Sequence, residues 1–364
     1  MRAGLLRTVL VLLAAAVVVA GVVVFYRRAA REQGRHAAYH RRLGKDSFET
    51  MGTVVNLRFW EGDPGNEAAM AAVRTAFDEV EACCNTYDPD SELSRLNRTA
   101  HREAFACSPL LWDLLQEARA AFEYTHGAFD ISAGPLVALW GLYRKERATL
   151  PDEQELQTAM QAVGLEHVAF DDDNRTVRFT APDMYLDLGG IAKGYALELA
   201  ADRLAARGVD CGVIDLGGNV YCLPQPPPGR ETYRIGIRNP RSPYPAVKTI
   251  GKVSFTDRAV ATSGNYERFV EIDGQRYAHI IDTRTGRPAQ GVVAVTVIAR
   301  RPTVSDALST GIFLNRGEYL DELAERFPSL RVLIIAEDDN GDLSMTTFSA
   351  DAAFWEDVRD VSDW

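Results

Sequence analysis

Tyr185-Leu-Asp-Leu-Gly-Gly-Ile-Ala-Lys-Gly-Tyr195 changes character at its glycine pair. Ahead of it, Met184 to Asp187 alternates apolar and polar residues as a strand does. Behind it, Tyr195 to Arg207 reads as a helix that Gly208 stops. Strand, glycine turn and helix together offer bare backbone N–H groups to a phosphate at a helix start. Gly189 and Gly190 let a ligand approach the main chain with no Cβ in the way. Asp187 ends the strand and Lys193 comes one turn later. The same pattern also describes a tight connection with a surface lysine. The dinucleotide GxGxxG pattern and the phosphate loop ending in Gly-Lys-Ser/Thr are both absent.

The tetrapeptide recurs as Asp215-Leu-Gly-Gly218, with Asn219 next. Between the copies lie the helix and a second apolar run, Val209 to Leu216. That reads as strand–helix–strand, with two carboxylates and four glycines at one end of a sheet. Two similar turns that share four letters by chance are the other reading.

Further out, Ser47 to Trp60 alternates like one strand, with Met51-Gly52-Thr53 at its start. Asn66 to Tyr87 carries Ala69, Val73, Ala76, Phe77 and Val80 at helical spacing. Asp90 or Ser91 is a helix cap, and Ser108 to Thr125 is a helix opening on Ser-Pro. Gly127 to Gly141 mixes small residues with Phe129, Asp130 and Trp140. It suits a loop round a flat ligand or a loop packed on a helix. Asp152 to Val163 is a short helix, and Val168–Phe170 with Thr176–Thr180 a hairpin.

Tyr233–Arg238, Val253–Thr256, Ala259–Ser263, Arg268–Ile272, Tyr277–Ile281, Val292–Arg300 and Leu330–Glu337 read as strands. Ser305 opens a helix as its cap, which sets Asp306 and Thr310 on one face. The expected fold is α+β, with mixed, mainly antiparallel sheets and packed helices. The chain is acidic from Asp338, and residues 351–364 read as a tail.

The net charge of −11 over 364 residues speaks against nucleic acid. An anionic ligand must then be held locally, by amides, a metal ion or a few basic groups. The cysteines are Cys83, Cys84, Cys107, Cys211 and Cys222, an odd count without a CxxC pair. Cys211 and Cys222 flank the second tetrapeptide and either face each other on a hairpin or are buried thiols. Thr8 to Tyr26 is an uncharged apolar run long enough to cross a bilayer. Residues 1–28 therefore read as an uncleaved signal anchor, and 29–46 as a basic tether. Arg27, Arg28, Arg31 and Arg35 outnumber Arg2 and Arg7, which by the positive-inside rule holds the body in the cytoplasm.

Several words in order resemble the ApbE family of FAD:protein FMN transferases. They are Met51-Gly-Thr53, Tyr87-Asp-Pro89 with Ser94-Arg-Leu-Asn97, Gly127-Ala-Phe-Asp-Ile-Ser132 and Leu186-Asp-Leu-Gly-Gly-Ile-Ala-Lys-Gly194. Asp215-Leu-Gly-Gly-Asn219, Thr262-Ser-Gly-Asn-Tyr266, His279-Ile-Ile-Asp282 with Thr285-Gly286, and Ser305-Asp-Ala-Leu-Ser-Thr310 continue the series. The resemblance spans residues 47–350, read as one flavin transferase domain. It implies sheets of the tetrahydrobiopterin-enzyme (T-fold) type. It implies that FAD is split at its pyrophosphate with Mg²⁺, AMP is released, and FMN is left on a Thr or Ser hydroxyl of a partner protein. Such proteins act outside the cytoplasmic membrane on subunits of membrane redox complexes. That outweighs the charge count and sets the body in the periplasm, anchored to the inner membrane.

Carried over position by position, Met51 and Tyr87 touch the flavin or adenine rings. Ala128, Phe129 and Asp130 line the FAD site, and Asp187 and Lys193 hold the nucleotide. His279, with Ile280 beside it, lies by the pyrophosphate; His279 and Asp306 are the catalytic pair. Asp306, Thr310 and a carbonyl near Gly190 bind the metal. The family's Asp-Pro after the histidine word is Asp282-Thr283 here, and some members have Ala at Ser305. Two alternatives use the same residues: an FAD pyrophosphatase with water as nucleophile, and a flavin-binding protein without catalysis.

Overall fold

The computed structural model describes residues 42–62, 65–142, 147, 149–241, 249–266, 269–272, 274–355 and 358. The expected anchor, 1–28, and most of the expected tether lie outside these. Among the described residues no helix is long and apolar enough to cross a membrane.

Eight strands form one sheet in chain order. They are β1 (Gly44–Thr50), β2 (Thr53–Phe59), β3 (Gly212–Leu216), β4 (Asn219–Cys222), β5 (Arg258–Gly264), β6 (Val292–Ala299), β7 (Arg331–Glu337) and β8 (Leu343–Ser349). Every neighbouring pair is antiparallel. The smaller sheets are antiparallel too. The expectation of mixed sheets therefore gives way to a wholly antiparallel set among the described residues, inside the expected α+β class.

The helices are α1 (Gly65–Cys84), α2 (Glu92–Thr99), α3 (Pro109–Tyr124), α4 (Gly134–Leu139), α5 (Glu153–Met160), α6 (Ala192–Ala205), α7 (Pro302–Asn315) and α8 (Leu320–Arg326). Along β2, Val55, Leu57 and Phe59 are buried while Val54, Asn56 and Arg58 are exposed, the period-two signature of a half-covered strand. Val55, Leu57 and Phe59 meet Val73 and Phe77 of α1 and Leu197 of α6 in one cluster. Full burial of such side chains stabilises by roughly 1.5–3 kcal/mol each. β6, Val-Val-Ala-Val-Thr-Val-Ile-Ala, is buried at every position. Val295 and Val297 pack with Leu308 and Ile312 of α7. Val293 and Ile298 pack with the hairpin of Tyr233–Arg238 and Thr249–Phe255 on the other side. Cover on both faces is why this strand reads as one apolar run.

Several expectations are corrected. Met184 to Asp187 is not a strand; it has no sheet partner. Its alternation is real, with Met184, Leu186 and Leu188 buried, but a side chain rather than a strand satisfies its backbone. Ser47 to Trp60 is not one strand but the β1–β2 hairpin, turned at Met51 and Gly52 with φ of 51° and 67°. α6 starts at Ala192, so Lys193 lies in its first turn. α7 starts at Pro302, and Ser305 is no cap; its hydroxyl donates to Pro302 O at 2.9 Å. β1 begins inside the expected tether, and β8 was not foreseen. Trp355 and Val358, in the expected tail, are buried. Cys222 pairs in register with Val213, so Cys211 does not face it. All five thiols are free.

Candidate active site

The central segment is gripped by Asn97, in the last turn of α2. Its Nδ2 donates to Leu186 O at 3.0 Å and its Oδ1 accepts from Leu186 N at 2.8 Å. Asp187 N donates to Ile131 O at 2.7 Å. These bonds do the work of a ladder and leave the chain free to turn. Gly189 N then donates to Asp187 Oδ1 at 2.6 Å, and α6 begins.

Asp306, in the second turn of α7, is 5% exposed. Its Oδ2 accepts from Gly194 N at 2.7 Å, and its Oδ1 from Asn219 Nδ2 at 2.8 Å. The residues beyond the two tetrapeptide copies are thus joined through one carboxylate. Burial raises its pKa above the usual range; the Lys193 charge, the Gly194 N–H and Asn219 work against that rise. Gly194 is required by proximity: a Cβ there would lie 2.6 Å from Asp306 Cβ.

Thr310 comes one helical turn after Asp306. Its Oγ1 lies 3.2 Å from Ser263 Oγ, which is 2.8 Å from Ser309 Oγ. A Cβ on Gly190 would sit 3.0 Å from the Phe129 ring and 3.5 Å from Thr310 Oγ1. Gly190, Phe129, Thr310, Asp306 and Lys193 therefore come together where α6 starts against α7. Phe129 is fixed from behind, its N–H donating to Thr125 Oγ1 at 3.0 Å.

The stretch Gly127–Gly141 is packed rather than open, with Ala128 and Phe129 buried, yet it presents the Phe129 ring edge to Gly190. Asp130 accepts from Ser132 N at 2.8 Å, and burial raises its pKa. Ile280 is buried in the same cluster as Ala128. Ile280 O accepts from Ala289 N at 2.9 Å. His279, half-buried, comes just after the strand Gln275–Ala278. Met51 occupies the β1–β2 turn with positive φ. Tyr87 is 60% exposed between α1 and α2. Near it, the Tyr185 hydroxyl is pushed up by burial and by Tyr87. Met51, Tyr87 and His279 thus come from three separate turns. Asp282 of the histidine word is bound by Arg284 at 2.8 Å.

Three residues of the site carry no role by sequence pattern alone: Asn97, Asn219 and Ser263. Each stands inside one of the family-like words. A polar residue that opens an apolar strand, as Asn219 does, must find a partner once buried, and that was the available signal.

The ApbE family model matches residues 51–334. A Vibrio cholerae protein named FAD:protein FMN transferase is 33% identical over 296 residues, covering 80% of this chain and 87% of its own. One of the same name from Treponema pallidum is 34% identical over 311 residues, covering 79% and 83%. Among solved structures, the flavin transferase ApbE from Vibrio cholerae superposes with a TM-score of 0.73 at 30% identity, over 86% of this chain and 99% of that one. The ApbE protein from Thermotoga maritima gives 0.74 at 30%, over 87% and 99%. Antiparallel fold and sequence agree on one class, the flavin transferases after which most of these relatives are named. The chain belongs to the ApbE family.

Proposed function

We propose that this chain transfers the FMN half of FAD to a Ser or Thr hydroxyl of a partner protein and releases AMP, with Mg²⁺ bound at Asp306. The observation that carries the reading is the meeting of Asp306, Thr310, Gly190 and Lys193 at the start of α6. The residues fit the ion. Asp306 would hold it with its carboxylate, Thr310 with its hydroxyl and Gly190 with its carbonyl. Among the described residues no cluster of three His, Cys, Asp or Glu side chains exists that could hold a metal. One carboxylate with neutral oxygens suits a hard ion that keeps water and shares substrate phosphates. Bound there, Mg²⁺ would neutralise charge on the pyrophosphate.

The chain's own groups do the rest. Lys193, in the first turn of α6, holds phosphate oxygens. Phe129, Met51 and Tyr87 contact the rings, and Asp130 and Asp187 border the nucleotide. The acceptor oxygen attacks the FMN-side phosphorus, and the bridging P–O bond breaks towards AMP. His279 takes the hydroxyl proton. Positioning and charge neutralisation carry most of such a transfer. The acceptor is a subunit of a membrane redox complex. The body works on the periplasmic face of the inner membrane, anchored through residues 1–28.

The test is incubation with FAD, Mg²⁺ and a candidate acceptor, measuring AMP and the acceptor's mass together. AMP with one FMN added to the acceptor is expected. AMP without added mass would favour hydrolysis, and bound FAD without AMP would sink the reading.

A further inference from the structure

α6 and α7 both begin without a side-chain cap of their own. Ile191 and Arg301, which precede them, make no such bond; Ala192 N is met locally by Leu188 O at 2.9 Å and Pro302 has no N–H, but Gly194 N and Thr303 N need partners from elsewhere. Each start is closed by a carboxylate of the other helix. Asp306 of α7 accepts from Gly194 N of α6 at 2.7 Å. Glu198 of α6 accepts from Thr303 N of α7 at 3.2 Å through Oε2. Its Oε1 accepts from Arg301 Nε at 2.7 Å, and Arg301 Nη2 donates to Glu117 of α3 at 2.8 Å. On α6 the donor Gly194 and the acceptor Glu198 are one turn apart. On α7 the donor Thr303 and the acceptor Asp306 are about one turn apart. The two contacts close a ring of one turn from each helix, and Gly194 lets the helices meet inside it.

Asp306 is therefore held at both ends of that ring: directly at Gly194, and through the first turn of α7 at Glu198. We propose that Glu198, braced by Arg301, is a positioning residue that fixes the Asp306 carboxylate for the divalent ion. This role rests on Asp306 being the metal ligand. Glu198 does not touch the ion; it stops the first turn of α7 from fraying and carrying Asp306 out of line. Partners that orient a metal ligand typically change metal affinity 10–100-fold when removed. A Glu198–Arg301 contact that was only a surface ion pair would leave ion binding unchanged.

The experiment is a titration of metal-stripped protein with Mn²⁺, read by the resonance signal of the free ion. Melting temperature is recorded in chelator alongside. Glu198→Ala should bind Mn²⁺ about tenfold more weakly, and Glu198→Gln, which keeps an acceptor for Thr303 N, should bind more tightly than Glu198→Ala. A Glu198→Ala protein with a lowered melting temperature and wild-type Mn²⁺ affinity would overturn the positioning role. If that variant does not fold, Arg301→Ala opens the same ring from outside, and unchanged affinity there has the same force. Asp306→Asn is measured in parallel. Retained affinity in Asp306→Asn would instead overturn the metal reading, which separates the two failures.

Discussion

Asp187-Leu-Gly-Gly190 and Asp215-Leu-Gly-Gly218 are the same four residues in two different structures. The second is the turn of the β3–β4 hairpin, with Gly217 and Gly218 at φ of 62° and 95°. The first lies outside every sheet and feeds a helix, and neither of its glycines has a positive φ. In both, the aspartate accepts a bond from a glycine amide: Gly189 N at 2.6 Å, Gly218 N at 2.9 Å. The residues downstream decide the rest. Ile-Ala-Lys-Gly continues as helix, and Asn-Val-Tyr-Cys as strand. In the first copy Gly190 supplies room, since a Cβ there would press on Phe129; in the second both glycines supply backbone freedom, Gly217 also room beside Thr53, whereas a Cβ at Gly218 meets nothing within 4 Å. Both copies nonetheless deliver their next polar contact to Asp306.

Four substitutions sharpen or break that contrast. Asp306→Asn removes the point where the copies meet. AMP release should fall roughly 10²–10³-fold, the scale of a lost electrostatic stabiliser, in a protein that still folds by circular dichroism. A normal rate at low Mg²⁺ would end the idea that the copies converge for catalysis. Lys193→Ala touches only the first copy's helix; losing a charged hydrogen bond worth about 1.5–3 kcal/mol should weaken FAD binding by titration, with little change in melting. Unchanged affinity would make Lys193 a surface lysine. Gly190→Ala should reduce turnover about tenfold, near 1.4 kcal/mol, while melting stays close to wild type; the reverse pattern would put Gly190 in the same category as Gly218. Gly218→Ala should cost about 1–2 kcal/mol of stability through its left-handed backbone and leave AMP release alone. Loss of activity without loss of stability there would erase the distinction.

In the second half of the chain three strands were legible: Tyr233–Arg238 of the smaller hairpin matches in full, and Val292–Arg300 and Leu330–Glu337 of the large sheet match to within a residue. Their apolar runs are covered on at least one face, and burial is what such patterns record. The same signal misled at Met184–Asp187, because alternation reports one buried side and not a paired neighbour. There the amide of Asn97, 89 positions away, replaces the neighbouring strand, and no local pattern encodes that. Ser305 looked like a cap because its residue type favours caps. Pro302, which has no N–H, begins the helix instead, and the Thr303 N–H is met by Glu198 from another helix, again a non-local partner. Asp306 and Thr310 were legible because their spacing survives a shift in where the helix begins. β8, Leu-Ser-Met-Thr-Thr-Phe-Ser, carries too few apolar residues to announce a strand; its place comes from pairing with β7.

The sheet's chain-order arrangement bears on how the molecule comes together. Three of the seven neighbouring pairs are joined by tight turns and three by spans of intermediate length, but β2 and β3 are separated by residues 60–211, and Phe59 must still find Gly212. Closing that span costs the most chain entropy of any step in the sheet, and contacts distant in sequence slow folding. α1 and α6, which both lie in the span, pack on each other and can hold its ends together before the strands meet. Softening that helix contact, as with Val73→Ala, should therefore slow refolding in stopped-flow mixing more than it speeds unfolding. The opposite partition would mean that the two edges of the molecule form independently and join last.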